Sequence, residues 1–198
     1  MIVSREEVLE RKHAEKLPDF CREVLNESGF SVHNLEGVAV SIGPGSFTGL
    51  RIGLSFAKGI AFSADLPLVP VPTLLAMAEA SSLSGIGADT CLRSHKEIVY
   101  HQRFKLEANG WAAESRPDCG EWEAVAPGIA KESCFIHFGC NDLLDRLEQE
   151  VEILESSPSA VSVARVALNR FEELSMTDYH HLEPDYISSF KTGGSSSR

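Results

Sequence analysis

The chain has 198 residues, of which 18 are lysine or arginine and 29 are aspartate or glutamate, so its net charge is −11 with histidine neutral. Nucleic-acid binding draws most of its affinity from lysine and arginine contacts to phosphate, so this charge argues against a chain that binds RNA or DNA unaided. An apolar content of 43% with 24% charged residues is typical of a folded domain. The apolar run over residues 66–78 is too short, and too interrupted by proline, to span a membrane.

Charged residues occupy the first 20 positions, where a secretory signal would place its apolar core, so we expect a cytoplasmic protein. The cysteines are odd in number and contain no CxxC pair, which argues against both a disulfide framework and a zinc site. We expect them to be free thiols, buried or partly buried. They are Cys21, Cys91, Cys119, Cys134 and Cys140.

The first half of the chain alternates between helix and strand patterns. Apolar spacing predicts a helix over 6–28, although Pro18 interrupts it. Short β-branched runs predict buried strands over 37–42 and 68–71, and the segments after them predict helices over 47–64 and 73–80. This order of elements predicts an α/β layer with parallel strands.

The second half is less regular. Strands are predicted over 97–106 and 133–138, and a short helix is predicted over 141–148. A capped amphipathic helix is predicted over 156–174. Residues 109–127, rich in glycine, proline, tryptophan and acid, are predicted to be loop with a short strand, and residues 192–198 a flexible tail.

The string GPGSFTGLR, residues 43–51, lies between a predicted buried strand and a predicted helix. Glycines allow a tight turn and a close approach of the backbone, and the helix N-terminus offers unpaired amide donors. A phosphate site and a purely structural turn both remain open, but a P-loop is excluded because Leu50-Arg51 follow the last glycine. The residues of this glycine turn are Gly43, Pro44, Gly45, Ser46, Phe47, Thr48 and Arg51.

Within the following helix, small residues recur at every fourth position, at Gly49, Gly53, Ala57 and Ala61. Such a stripe lets another backbone come close. Glycine inside a helix costs about 1 kcal/mol relative to alanine, so Gly53 and Gly59 need a packing reason. Two interpretations follow: the stripe packs on the chain's own sheet, or part of the helix faces a partner subunit.

The block over residues 38–78 closely resembles the TsaB (YeaZ) family, and GPGSFTGLR is the most specific part of the match. Weaker resemblance covers residues 11–17 and 182–187, whereas residues 82–156 match poorly. The resemblance implies an α/β actin-like or ribonuclease-H-like fold of the sugar-kinase superfamily with two lobes. We expect a first lobe over 1–84, a second, smaller lobe over 85–191 and the tail over 192–198.

The family has a catalytic relative, TsaD, once called a glycoprotease, which carries a His-x-x-x-His pair after the second of these strands. Two histidines one helical turn apart can bind one metal ion. This chain has Thr73 and Met77 at the corresponding positions, and none of its seven histidines form an i, i+4 pair. We therefore expect no catalytic residues, no metal site and no enzymatic activity of its own.

The chain also departs from the family pattern. Relatives begin with a strand and a hairpin about two dozen residues ahead of the segment that resembles residues 11–17, so the N-terminal strands are expected to be missing. In the second lobe, residues 93–96 do not reproduce the family's arginine pair, and no role is carried over for them.

The resemblance implies a non-catalytic scaffold or dimerisation subunit that binds TsaD and supports threonylcarbamoyl transfer to adenosine 37 of tRNA. It also implies TsaE in the larger complex, a homodimer as a further possibility, and only indirect contact with tRNA. No cofactor is expected on this chain alone, whereas ATP or ADP is expected at the interface of the complex. The expected partner-binding helix residues are Gly49, Leu50, Gly53, Leu54, Ala57 and Ala61.

Two alternatives remain open at this stage. One is a metal-dependent glycoprotease or nucleotide hydrolase of the same fold. The other is a stand-alone nucleotide-binding regulator that uses the turn over residues 43–49.

Overall fold

The computed structural model describes residues 3–7, 13–80, 87–108 and 110–187. In its first part, strands β1 (Val38–Gly43) and β2 (Leu68–Pro72) pair in parallel, with Val38 opposite Leu68. Helix α2 (Phe47–Ala64) connects them, as parallel strands require a crossover. Helix α1 (His13–Ser28) packs along α2, and α3 (Thr73–Ala80) follows β2 directly.

The two ends of α2 are set by local chemistry. Ser46 caps its start, where the hydroxyl oxygen accepts a bond from the Gly49 amide at 3.3 Å. Asp65 ends it in the left-handed region at φ 53°, a conformation common just past helix C-termini. The predicted bounds of α2 and α3 are confirmed.

The second sheet is mixed. Its order is β5-β4-β3-β7-β8, with β6 paired to the other half of β4. Strand β3 is antiparallel to β4 and parallel to β7, which is in turn parallel to β8. The strands are β3 (Gly87–His95), β4 (Ile98–Glu107), β5 (Gly110–Ala113), β6 (Asp118–Glu121), β7 (Ser133–Phe138) and β8 (Glu152–Glu155).

Short helical segments connect these strands. They are α4 (Trp122–Val125) and two 3-10 turns, Ala126–Gly128 and Asn141–Arg146. The helix predicted over 141–148 is therefore a 3-10 turn that ends two residues earlier.

The chain returns to the first sheet after β8. Helices α5 (Ala160–Asn169) and α6 (Phe171–Leu174) pack against β2, and Met176 forms a backbone bridge to Leu68. The prediction of one helix over 156–174 was wrong at its start and in its middle. The helix starts later, because Ser159 caps α5, and it is interrupted at Arg170, which leaves the helical conformation. Residues 160–187 lie against the first sheet, although the predicted lobe boundaries assign them to the second lobe.

The N-terminal prediction is only partly tested. Residues 3–7 are not helical, and α1 begins at His13, so the helix predicted from residue 6 was wrong there. The rest of its predicted first part, residues 8–12, lies outside the described residues, as does the tail over 192–198.

Three apolar clusters hold the described chain together. The largest joins the two sheets, because it combines Val69 and Val71 of β2 with Phe104 and Ile136 of the second sheet. Another lies behind the second sheet around Trp122 and Phe135. The third lies between β1–β2 and α2.

Candidate functional site: helix α2 and the C-terminal strap

The side of α2 that faces the sheet is occupied by the chain's own core. Leu54, Ala57 and Ala61 are 4%, 5% and 0% exposed and pack with Leu68, while Val38 and Val40 border the same cluster. The prediction that these three residues of α2 line a partner interface is therefore corrected, because no partner can reach them in this fold. The small residues of the stripe allow α2 to pack closely on the chain's own sheet, which is the other of the two interpretations given above.

The other predicted interface residues lie at the edge of this packed side. A side chain on Gly53 would lie 4.0 Å from Cγ2 of Val40, so this glycine faces β1. Gly49 lies beside its capping residue Ser46, and Leu50 packs half-buried over the glycine turn. The structure thus brings the predicted set together on one side of α2, but that side faces inwards.

The opposite side of α2 is exposed. We define this docking face by Thr48, Arg51, Ser55, Gly59 and Phe62, all of which are exposed. Phe62 is 74% exposed, and a side chain on Gly59 would meet no atom within 4 Å. The centre of the face is therefore flat and small, with a large apolar side chain at its C-terminal end.

Residues 176–187, the C-terminal strap, run along α2 to the glycine turn. The ammonium of Lys58 donates to the carbonyl oxygens of His180 and Leu182, at 3.1 and 2.7 Å. Tyr179 is buried in the cluster between α2 and the first sheet. The packing of residues 182–187 on α2 could not be predicted, because no periodicity reveals an irregular segment that packs on a distant helix.

The strap meets the glycine turn at Asp185. The Asp185 amide donates to the carbonyl oxygen of Ile42 at 2.7 Å. Gly43 has φ +127°, and a Cβ there would lie 2.6 Å from the carbonyl oxygen of Asp185. The first glycine of the motif thus serves close packing of the strap, which supports the structural interpretation of the turn.

Arg51 lies over the Phe47 ring and beside the Tyr186 ring at the start of α2. Its Cζ lies 3.9 Å from the centroid of the Phe47 ring and 5.7 Å from that of Tyr186. Its Nε donates to the Tyr186 hydroxyl at 2.8 Å, and the two rings are 5.0 Å apart. These contacts fix a guanidinium at one end of the docking face.

A cleft of about 1,220 Å³ opens beside the glycine turn. Its walls come from both sheets and include Ser41 and Thr73 on one side and Leu92 and Tyr100 on the other. The hydroxyl oxygens of Ser41 and Thr73 are 2.7 Å apart, so one of the two hydroxyls donates a hydrogen bond to the other.

Thr73 and Met77, the positions that the resemblance aligns with the histidine pair of TsaD, are packed inside the chain. Thr73 is 4% exposed and hydrogen-bonds to Ser41, and Met77 is fully buried in the largest core cluster. Within residues 3–7, 13–80, 87–108 and 110–187, no group of three or more His, Cys, Asp or Glu side chains is placed to hold a metal ion. In the same residues, no helix has the length and apolarity to cross a membrane.

One charged cluster in the second sheet was missed by sequence analysis. Asp89, fully buried in β3, accepts bonds from His101 at 2.8 Å, Arg103 at 3.1 Å and the Ala130 amide at 3.1 Å, and from the Ser133 hydroxyl. Burial raises the pKa of this carboxyl, but the four donors outweigh it, so the pKa lies below its usual value. All its contacts lie within the chain, so we assign the cluster to stability.

Known proteins resemble the chain over most of its length. The family described as "TsaD: tRNA N6-adenosine threonylcarbamoyltransferase" matches residues 6–102. The tRNA threonylcarbamoyladenosine biosynthesis protein TsaB of Escherichia coli K12 is 28% identical over 205 residues, covering 91% of this chain and 83% of that protein.

Solved structures from Pseudomonas aeruginosa share the fold. One, described as similar to peptidase YEAZ, has a TM-score of 0.81 at 22% identity and covers 92% of this chain and 87% of that one. A second, YeaZ itself, has a TM-score of 0.76 at 24% identity and covers 91% and 86%. The predicted α/β fold class is confirmed, and so is the predicted resemblance: the chain is similar to the TsaB (YeaZ) family in both sequence and fold.

Proposed function

We propose that the chain acts in the biosynthesis of threonylcarbamoyladenosine in tRNA, as a non-catalytic subunit that binds TsaD through the docking face of α2. The similarity to the E. coli protein named TsaB over 91% of the chain supports the pathway. In this proposal TsaD transfers the threonylcarbamoyl group to adenosine 37, and TsaE joins the larger complex.

The exposure of α2 is the observation that supports binding of a partner. A helix that packs one side on its sheet and presents Phe62 and a flat centre on the other offers a surface for a second helix. The same face could serve a homodimer when TsaD is absent, so the two associations would compete.

The sites of Thr73 and Met77 support the non-catalytic role. Both side chains are committed to internal packing, and neither is a suitable ligand for a catalytic divalent metal. The net charge of −11 supports a subunit that does not bind the tRNA itself, so that its cytoplasmic partners make that contact. ATP or ADP would bind at the interface with TsaD and not to the isolated chain, which calorimetry with and without TsaD would test.

The binding experiment uses two matched exposed residues. Phe62→Asp places a charge at the docking face, whereas Leu168→Asp places the same charge on α5, where Leu168 is 77% exposed. We expect Phe62→Asp to weaken TsaD binding at least tenfold, because a charge replaces the large exposed apolar side chain of the docking face, and Leu168→Asp to leave it unchanged. Equal binding by both variants would contradict the docking face.

Gly53→Leu is unsuitable as a test of the docking face, although Gly53 belongs to the expected partner-binding set. Its side chain would enter the space next to Val40 of β1, so a loss of binding would report a damaged core. Gly59→Leu is the informative replacement, because the space around Gly59 is open.

A further inference from the structure

We infer that Arg51 is the charged anchor of the docking face and that it pairs with a carboxylate of the partner protein. This inference rests on the proposed function, since it names the chemistry of the partner surface that α2 would meet. The contacts of Arg51, Phe47 and Tyr186 carry it.

Arg51 is held without being neutralised. Its Nε is bonded to Tyr186 and its guanidinium plane lies over Phe47, but within the described residues it forms no ion pair. The two terminal nitrogens of the guanidinium, Nη1 and Nη2, are thus available to donate hydrogen bonds to a partner. A planar guanidinium can donate two parallel hydrogen bonds to the two oxygens of a carboxylate.

The contrast with other arginines is informative in a chain of net charge −11. Arg93 pairs with Asp142, Arg103 with Asp89, and Arg146 with Glu97 and Glu123. Arg51 instead has two aromatic partners, which order the side chain without cancelling its charge. Less conformational entropy is therefore lost when a partner carboxylate binds.

The surroundings of Arg51 have the composition of an interface anchor. Phe47 is 47% exposed and Tyr186 is 39% exposed, so an exposed cation lies against a pair of exposed rings. Arginine and tyrosine are enriched among residues that dominate binding energy. Contact with a partner would remove water from both rings and strengthen the ion pair.

A protein carboxylate fits this site better than an RNA phosphate. RNA binding needs several cations that follow the backbone. The other basic residue nearby on α2, Lys58, is committed to the carbonyl oxygens of His180 and Leu182. One fixed cation in an acidic chain is the complement of an acidic residue on a protein surface.

The test measures the affinity of the full-length chain for TsaD from the same cell by calorimetry. Arg51→Glu is expected to weaken binding more than tenfold, because two carboxylates would then face each other. Arg165→Glu is the matched control, since Arg165 is exposed on α5 and forms no ion pair within the described residues. Arg51→Gln removes the charge but keeps a polar side chain, and it is expected to flatten the salt dependence of the affinity.

The outcomes separate this inference from the proposed function. If the wild type and Arg165→Glu bind TsaD but Arg51→Glu binds equally well, the carboxylate contact is wrong and the proposed function stands. If the wild type does not bind TsaD, both fail. If Arg51→Glu lowers only the binding of tRNA to the assembled pair, the site takes a phosphate and the inference is overturned. Thermal unfolding of each variant shows whether it is folded, and if Arg51→Glu is not, Arg51→Gln decides.

Discussion

The carbonyl oxygen of Asp185 lies 2.6 Å from the point where a Cβ on Gly43 would stand. No L side chain fits at that distance, and the φ of +127° at Gly43 is one that such residues rarely adopt. Residues 43 and 185 are far apart in the sequence, yet the glycine of the turn and the strap form one packed unit. The start of α2, including Phe47 and Arg51, is built on this unit.

Gly43→Ala is therefore expected to lower the free energy of unfolding by about 2 kcal/mol or more, through backbone strain and the clash with Asp185. Gly59→Ala is the matched control, because its methyl group would meet nothing within 4 Å. In a helix this control should be neutral or stabilising by up to about 1 kcal/mol. Urea unfolding measures both, and limited proteolysis shows whether the strap is released in Gly43→Ala. A Gly43→Ala variant as stable as the wild type would contradict the role assigned to the contact.

The sequence was most informative where local signals agree with the tertiary structure. The bounds of α2 and α3 could be predicted because Ser46 caps α2 and because a short β-branched strand precedes each helix. The expectation that both strands are buried holds only for β2, since in β1 only Gly43 is buried. Strand β3 was not predicted, although it lies at the centre of the second sheet. Its sequence GADTCLRSH contains little β-branched character, and its polar residues Asp89 and Thr90 are buried only because partners on other elements satisfy them.

Helix α2 could be predicted from the sequence, but which of its sides is buried could not. The small stripe identified α2 as a helix that packs closely, but spacing alone could not show whether the sheet or a partner fills it. Burial of Ala57 and Ala61 on β1 and β2 decides for the sheet, and the docking face lies on the other side. The contact of Arg51 with Tyr186 could not be predicted, because Tyr186 lies 135 residues further along the chain.

Thiol reactivity tests the burial of the cysteines. Cys91, Cys134 and Cys140 are buried free thiols, whereas Cys21 and Cys119 are partly exposed. Burial raises the pKa of Cys134 and Cys140 to about 11 and raises that of Cys91 well above its usual value. The thiolate is the reactive form, so these three should resist iodoacetamide at pH 8 in the folded protein.

The expected result is slow labelling of Cys21 and Cys119 only, with all five cysteines labelled in guanidinium chloride. Peptide mass spectrometry assigns each site. Rapid labelling of Cys134 or Cys140 under native conditions would show that the second sheet opens, contrary to this structure.

Asp89 should give the chain a specific acid sensitivity. Its folded pKa lies below the ordinary value, so its stabilising contribution is complete above the unfolded pKa of about 3.9 and is lost as pH falls through the lower folded pKa. At pH 7, Asp89→Asn removes the charge that faces Arg103 and turns one of the two acceptor oxygens into an NH2 donor, so it should cost about 3 kcal/mol. In acid the wild-type carboxyl is itself protonated, so the difference between the two proteins should shrink.

Urea unfolding at a series of pH values measures this difference, with Asp142→Asn as the control, because the exposed Asp142–Arg93 pair should contribute little at any pH. A difference between wild type and Asp89→Asn that is equally large at pH 7 and at pH 3 would show that the charge of Asp89 is not what stabilises the second sheet.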